Sequence, residues 1–348
     1  MIWQKYKSEI CMNTSTPKAE SYGEDGRDRQ RCGKPIALPQ RRFGAIWIAV
    51  IILMVTLRVF VPRSVETGAL MAILPLAAFL ATAAIGQTLV MMTGGIDMSV
   101  PSTVMISSVM LLAVSGGNDD RLMLSILAAL AAAVVVGTFN GLMVAVLGLN
   151  SLIVTLSVGA LVSGGALWFW QSLSAESSVP PRLANFSSEL IWNLPMSFLV
   201  SVGLTLLAAV VLRRTVLGRR FEAVGVSPRA AYATGTRTWR YQAGAYMAAS
   251  FLYGTLAVLL SGFLRNPTLD VGAPYLLAPI AAAVLGGTAI SGGVSNVISV
   301  AGASLFLVQL VQAMKMLGLD TSWQTVIQGI AIGTGMWLSE GKTKAGGH

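Results

Sequence analysis

Charged residues are scarce in this chain. They make up 11% of its 348 residues, whereas about a quarter of the residues in a soluble domain are charged. Histidine occurs once, as His348, so the sequence offers no histidine metal cluster and no histidine general base. Cys11 and Cys32 are the only cysteines, and free thiols explain this pair better than a disulfide framework does.

Hydrophobic residues are abundant instead. They account for 54% of the chain, and the mean hydropathy is +0.70. The charges are clustered, which leaves uncharged stretches at 122–175, 190–212, 241–264, 271–314 and 321–339. A bilayer span needs roughly 20 apolar residues, so the longest stretches accommodate two helices each. The composition predicts an all-α polytopic membrane protein.

The apolar stretches divide into ten predicted membrane segments. They cover residues 44–61, 68–92, 102–115, 122–147, 152–171, 194–212, 241–263, 275–285, 294–314 and 322–338. We expect a disordered tail at 1–42, a transmembrane domain at 43–339 and a short polar tail at 340–348. Between the segments, 172–193 is predicted to be a hydrophilic loop and 213–240 an arginine-rich one.

The distribution of basic residues predicts the orientation. If both termini and the 213–240 loop lie in the cytoplasm, that side carries eighteen Lys and Arg residues and the other side carries six. Cytoplasmic loops carry an excess of Lys and Arg, so both termini are predicted to be cytoplasmic. An even number of spans agrees with this arrangement.

Asp97 is the only charged residue between Ala69 and Asn118, within the stretch TGGIDMSVP at 93–101. An ionisable residue at membrane depth marks a functional site by default. Gly94, Gly95 and the following proline predict a broken helix, which at membrane depth survives where it lines a cavity or is buried in protein. Two roles stay open: Asp97 and Ser99 cap the next helix, or they contact a solute or gate.

A second broken segment lies in the other half of the chain, with Gly286, Gly287, Thr288, Gly292 and Gly293. Paired broken segments point to a transport site in transporters built from two related halves. The alternative is that the glycines only let helices pack closely.

Three further polar residues, Gln87, Asn140 and Thr155, fall at membrane depth. Such groups either hydrogen-bond a neighbouring helix or line a pathway for a polar solute. Both interpretations stay open.

The arginine-rich loop contains a short predicted helix. Ser227 suits its cap, Pro228 its first position and Gly235 a left-handed C-terminal position. Ala230 and Ala231 would give it a smooth face. The helix is either a docking element for a partner or an interfacial segment in contact with anionic lipid.

Four stretches together resemble the permease subunits of ATP-binding-cassette (ABC) importers for monosaccharides, the ribose, xylose, galactose and autoinducer-2 group within the branched-chain amino acid and sugar permease superfamily. The stretches are GQTLV (86–90) with TGGIDMS (93–99), NGLM (140–143) with IVTL (153–156), AVG (223–225) continuing through Ala230 and Ala231 to Gly235, and IAAAVLGGT (280–288) with SGG (291–293). The resemblance covers residues 68–338. The chain departs from the family's usual residues at Pro101, Asn150, Ser151, Leu276, Ala278, Ser295 and Ser299.

The resemblance implies a type II ABC importer architecture, with two permease subunits, identical or different, around a central pathway. It implies three kinds of partner: a cytoplasmic ATPase, a periplasmic solute-binding protein and a second permease. It also implies that the loop helix, with Ala223, Gly225, Ser227, Pro228, Ala230, Ala231 and Gly235, couples to the ATPase. The glycine and polar residues named above would then belong to the pathway or its hinge.

We therefore expect a transport subunit of the bacterial inner membrane that contacts membrane lipid and has no nucleic-acid partner. We expect no cofactor, no metal and no catalytic residue. The subunit is also expected to have no ATP site of its own, because the nearest match to a phosphate loop, at Gly341, lacks that motif's first glycine. The predicted cargo is a monosaccharide or sugar-like solute. Two alternatives stay open: a nucleoside or other small polar metabolite as cargo, and an ion-coupled transporter that uses Asp97.

Overall fold

The computed structural model describes residues 40–171 and 178–320, together with residues 322, 323, 326, 327, 329, 330 and 333. The predicted N-terminal tail falls outside these residues apart from its last three positions, and the tenth predicted segment falls largely outside them. The helices, contacts and cavity of the structure are those of these described residues.

The described part of the chain is helical almost throughout. Its helices are α1 (Gln40–Phe60), α2 (Thr67–Met92), α3 (Val100–Ser115), α4 (Leu122–Ala145), α5 (Ser151–Trp170), α6 (Pro181–Ser188), α7 (Met196–Arg214), α8 (Val216–Val226), α9 (Pro228–Ala233), α10 (Thr238–Leu264), α11 (Ala278–Leu285) and α12 (Val297–Met316). Short 3-10 turns lie at Pro62–Val65, Asp119–Arg121 and Leu269–Tyr275. One hairpin pairs β1 (Leu190–Ile191) with β2 (Leu194–Pro195) in antiparallel fashion.

Six of these helices are long and apolar enough to cross a membrane: α2, α4 with its preceding turn, α5, α7, α10 and α12. Three shorter apolar segments, Gly44–Phe60, Val100–Ser115 and Leu269–Leu285, supplement them. The prediction of an all-α polytopic membrane protein is therefore confirmed. α3 has 16 residues, about 24 Å of helix, and is shorter than the ~30 Å hydrocarbon core.

Helices α2 and α10 form the centre of the bundle. α10 packs against α2, α3 and α4, and its Tyr246 and Tyr253 are almost completely buried. By contrast, α4, α5 and α7 expose large apolar side chains such as Phe139, Leu156 and Leu206. An apolar outer surface of this kind suits contact with lipid or with another membrane subunit.

Close packing of α4 on α10 depends on two glycines one turn apart. A Cβ on Gly137 would lie 2.5 Å from the Tyr246 carbonyl oxygen, and one on Gly141 would lie 2.8 Å from the Ala243 carbonyl oxygen. Small residues at this spacing let membrane helices approach through their backbones.

Two regions predicted to be loops contain helices. In 172–193, Pro180 and Pro181 begin α6, which packs on α10, where a Cβ on Gly262 would collide with the Ser187 hydroxyl. In 213–240, Thr215 accepts a hydrogen bond from the Gly218 N–H and so caps α8. The apolar face of α8 was not recognised in the sequence because exposed arginines lie between its apolar residues.

Candidate functional site

Asp97 lies between α2 and α3 and is completely buried. Its Oδ1 accepts hydrogen bonds from the Ser99 N–H at 2.8 Å and from the Ser99 hydroxyl at 2.6 Å. The Asn140 side chain of α4 donates to the same hydroxyl oxygen at 2.8 Å. We call Gln87, Asp97, Ser99, Asn140 and Thr155 the Asp97 cluster.

Capping of α3 was one of the two roles left open for Asp97 and Ser99. Ser99 occupies the N-cap position of α3, but its side chain makes no cap hydrogen bond within the described residues. The hydroxyl instead bridges Asp97 and Asn140, and the backbone at Ser99, with φ −85° and ψ 3°, lacks the extended conformation typical of a capping residue. The first hydrogen bond of α3 runs from the Thr103 N–H to the Ser99 carbonyl at 2.9 Å.

Gln87 holds the main chain of Asp97. Its amide orientation follows from its partners: the NH₂ group donates to the Asp97 carbonyl at 3.0 Å, and the amide oxygen accepts from the Asp97 N–H at 3.2 Å. The NH₂ group also donates to the Tyr253 hydroxyl at 3.2 Å. A single side chain of α2 therefore satisfies both backbone groups of a residue in the irregular segment.

The first turn of α5 holds the next stretch of this segment. The Met98 N–H donates to the Thr155 hydroxyl at 2.9 Å, and the Ile96 N–H donates to the Ser151 hydroxyl at 3.2 Å. Asn150 caps this helix by accepting from the Leu152 N–H at 2.9 Å. The three predicted polar residues Gln87, Asn140 and Thr155 thus converge on one segment, from three different helices.

Two buried oxygens of the cluster, Asp97 Oδ2 and Asn140 Oδ1, have no hydrogen-bond partner among the described residues. Leaving such atoms unsatisfied costs about 1–3 kcal/mol each. Most of the cluster's polar groups therefore hold backbone in place.

Both broken helices end in the same way. At the end of α2, the Gly94 N–H donates to the Met91 carbonyl and the Gly95 N–H to the Val90 carbonyl. At the end of α11, the Gly287 N–H donates to Val284 and the Thr288 N–H to Ala283. These are Schellman endings, and Gly94 (φ 81°) and Gly287 (φ 93°) occupy the left-handed position that favours glycine. The second irregular segment is then closed by a 2.6 Å contact between the Thr288 and Ser295 hydroxyls.

The two irregular segments meet the end of α8 at the Met92 carbonyl. The Gly293 N–H donates to this carbonyl at 3.0 Å. A Cβ on Gly225 would collide with the same oxygen, and a Cβ on Gly292 would lie 2.9 Å from the Gly225 carbonyl oxygen. Three segments far apart in sequence therefore touch through main-chain atoms. We call these four residues the Met92 junction.

Gly286 packs the end of α11 against α12, since a Cβ there would lie 2.7 Å from the Val300 Cα. Gly95 approaches α10 in the same manner, because an added Cβ would collide with the Tyr246 hydroxyl. The predicted glycines therefore serve close packing as well as the helix breaks.

The short helix predicted from the sequence is α9. Ser227 accepts from the Ala230 N–H at 3.3 Å, and Pro228 is the first helical residue. The Gly235 N–H donates to the Tyr232 carbonyl, the Thr236 N–H donates to the Ala231 carbonyl, and Gly235 has φ 83°. This is a third Schellman ending.

The expected smooth face of α9 is different from the observed one. Ala231 is buried, so the exposed residues of the helix are Pro228, Arg229, Ala230, Tyr232 and Ala233. Ala223 is exposed on the preceding helix α8. Ala231 faces inward because this side of the six-residue helix packs against α8 and α10.

Glu222 is the only acidic residue in this arginine-rich segment. Partial burial raises the pKa of its carboxyl group, and the charge of Arg213 partly opposes this rise. The segment's arginines, including Arg219, Arg229 and Arg237, are exposed. This surface is therefore strongly positive.

Several residues at this site were not predicted from the sequence. Ser151, Tyr246 and Tyr253 border the Asp97 cluster, and Met92 contributes only a carbonyl. An IVTL-type motif could have suggested Ser151, two residues before it. A backbone acceptor such as that of Met92 has no signal in a single sequence.

Comparisons with known proteins agree with these features. The family model described as "Branched-chain amino acid transport system / permease component" matches residues 69–332. The chain is similar to the "Probable ABC transporter permease protein y4mJ" of Sinorhizobium fredii, at 29% identity over 83% of this chain and 86% of the relative. It is also similar to the "Autoinducer 2 import system permease protein LsrC" of Salmonella typhimurium, at 32% identity over 75% of this chain and 74% of the relative. LsrD of Photorhabdus laumondii is 28% identical over 71% of this chain and 75% of its own. No solved structure matches.

The described helices form a polytopic membrane bundle with two broken helices, and the matched family consists of membrane transport subunits. The family match covers most of the chain, and the chain belongs to this family of ABC importer permeases.

Proposed function

We propose that this chain carries a monosaccharide or sugar-like solute into the cytoplasm and that a separate ATPase drives it. The relatives named as autoinducer 2 import permeases support a small polar cargo. A periplasmic binding protein delivers the solute, and a second permease subunit completes the pathway. Both termini and α9 lie in the cytoplasm, as the distribution of basic residues predicts.

The observation that carries this proposal is the Met92 junction. Gly225 belongs to α8, which leads directly into α9. Its main chain touches Met92, and Gly293 is hydrogen-bonded to that residue. A movement of α9 imposed by an ATPase would reach both broken helices through backbone contacts, which deform less readily than flexible side chains.

We assign the pathway or hinge role to the Asp97 cluster, the Met92 junction and the second irregular segment. Displacement of the Gly94–Gly95 end of α2 would move Asp97, because Gln87 of α2 binds both of its backbone groups. The cluster then acts first as a hinge and second as a contact for solute hydroxyls, through Asp97 Oδ2 and Asn140 Oδ1. The surroundings of Asp97 Oδ1, two donors from Ser99, favour the hinge over a cation site.

Coupling to an ATPase is tested with Gly235→Asp. A non-glycine residue at φ 83° strains the end of α9, and the added acid opposes docking. We expect pull-down of the ATPase to fall while the permease still folds. Gly318→Asp is a matched control, because Gly318 also has a positive φ (73°) and open space around it, beyond α12. Equal ATPase recovery with both variants would contradict the coupling role of α9.

The energy source is tested by uptake of labelled ribose, xylose, galactose and autoinducer-2, with a nucleoside as the comparison cargo. Uptake should survive an uncoupler and stop when the ATPase is inactivated. The reverse pattern would favour the ion-coupled alternative, and uptake of the nucleoside alone would change the cargo but not the mechanism.

A further inference from the structure

A cavity of about 580 Å³ lies between α2, α7, α8 and α10, within the roughly 300–1,000 Å³ of small-molecule sites. Arg240 and Tyr241 are its only lining residues with polar side chains, and the others are apolar or glycine. Several of them, such as Leu207 and Phe251, are also exposed on the outer surface of the bundle. The cavity is therefore open to its surroundings, and an apolar opening of this kind on a membrane protein suits contact with hydrocarbon.

The polar end of the cavity lies at the beginning of α10. Arg240 stands in the first turn of this 27-residue helix, which has no acidic residue in that turn and no side-chain cap. The beginning of a helix carries a partial positive charge that attracts an anion, and the Arg240 N–H itself donates to the Arg237 carbonyl at 3.1 Å. The Arg240 guanidinium lies 5.5 Å from the centre of the Trp239 ring, and tryptophan is typical of the membrane interface.

Helix α8 closes the same end of the cavity. Leu217 and Phe221 line it, whereas Arg219 and Arg220 on the same helix are exposed. This is the arrangement of an amphipathic helix lying at the interface of a membrane. The apolar cavity, the Arg240 guanidinium and an amphipathic helix therefore share one end.

We propose that this cavity binds one anionic phospholipid of the bilayer. An acyl chain occupies the apolar part between α7 and α10, and the phosphate contacts the Arg240 guanidinium at the positive end of the α10 dipole. Tyr241 supplies a hydroxyl donor at the level of the glycerol. Since Phe221 belongs to the helix that carries Gly225, an occupied cavity also supports the helix that leads to α9.

The proposal is tested in nanodiscs that contain the full-length chain and a phospholipid with a photoreactive diazirine on its acyl chain. Phosphatidylglycerol and phosphatidylcholine versions of the probe are compared, and the crosslinked peptides are identified by mass spectrometry. We expect crosslinks on α7 and α10, with the phosphatidylglycerol probe favoured several-fold. Arg240→Gln should remove most of this preference, whereas Arg219→Gln, outside the lining, should keep it.

A cavity-filling variant provides the second arm. Ala248→Phe places a ring in the cavity and should abolish the crosslinks, whereas Ala131→Phe, on the exposed face of α4, should leave them unchanged. Crosslinks spread evenly over all exposed helices, or equal capture of both probes, would overturn the proposal. Protection of the cavity by another protein segment or by a second copy of the chain would also overturn it.

Discussion

Gly225→Ala is the most direct perturbation of the Met92 junction. The new methyl group would collide with the Met92 carbonyl oxygen and lie 3.1 Å from the Gly293 nitrogen. Both are main-chain atoms, so relief requires movement of a backbone segment. The Gly293–Met92 hydrogen bond of 3.0 Å lies in the path of that movement.

The magnitude follows from two opposing effects. Overpacking costs about 1–3 kcal/mol, and loss of a hydrogen bond adds about 0.5–1.5 kcal/mol. Replacing a helical glycine by alanine returns about 1 kcal/mol. The net cost of about 0.5–3.5 kcal/mol corresponds to a roughly 2–400-fold loss if it falls on the coupling between α9 and the broken helices.

The assay measures ATP-dependent uptake into proteoliposomes together with recovery of the ATPase by pull-down. We expect uptake to fall by at least about twofold, the lower limit of that range, while ATPase binding persists, because α9 itself is unchanged. Gly203→Ala is the matched control, since Gly203 is a helical glycine with open space around it. Wild-type uptake by Gly225→Ala, at equal amounts of protein, would refute the junction as the route of coupling. Thermal unfolding of both variants separates loss of coupling from loss of folding.

The Asp97 cluster supports two further predictions. Thr155→Val removes the acceptor of the Met98 N–H, so the free energy of unfolding should fall by about 1–3 kcal/mol. The control Thr138→Val loses only a hydrogen bond within its own helix and should have little effect. Equal thermal midpoints of the two variants would contradict this prediction. Asp97→Asn keeps an oxygen for both Ser99 donors, so uptake should stay within about threefold of wild type, or about 0.7 kcal/mol. Loss of uptake by correctly folded Asp97→Asn would show that the charge itself is required.

Much of the architecture could be predicted from the sequence because lipid imposes it. Uncharged stretches of sufficient length must become helices, since only intrahelical bonds satisfy the backbone in hydrocarbon. The predicted segment at 68–92 therefore matches α2 (Thr67–Met92) within a residue. The predicted punctuation of α9 also holds, because Ser227, Pro228 and Gly235 act through contacts a few residues away.

Local pattern was a poor guide where tertiary contacts compete with it. The sequence of α6 is polar and that of α8 is arginine-rich. Each helix is stabilised by one apolar face, which packs on α10 in the case of α6 and on α7 in the case of α8. For Ser99 the sequence left open whether the side chain caps α3, and the structure shows a 2.6 Å hydrogen bond to Asp97 and one from Asn140 instead. These partners are 2 and 41 residues away, and only the first is local.

The sequence by itself determined that this is a helical membrane protein broken at Gly94–Gly95 and at Gly286–Gly293, because hydropathy and glycine conformation are local properties. Only the tertiary structure decided that both breaks end in the same hydrogen-bond pattern and meet Gly225 at the carbonyl of Met92. That contact joins main-chain atoms of residues more than a hundred positions apart. Every residue has a carbonyl oxygen, so the identity of the side chain at position 92 does not predict this contact.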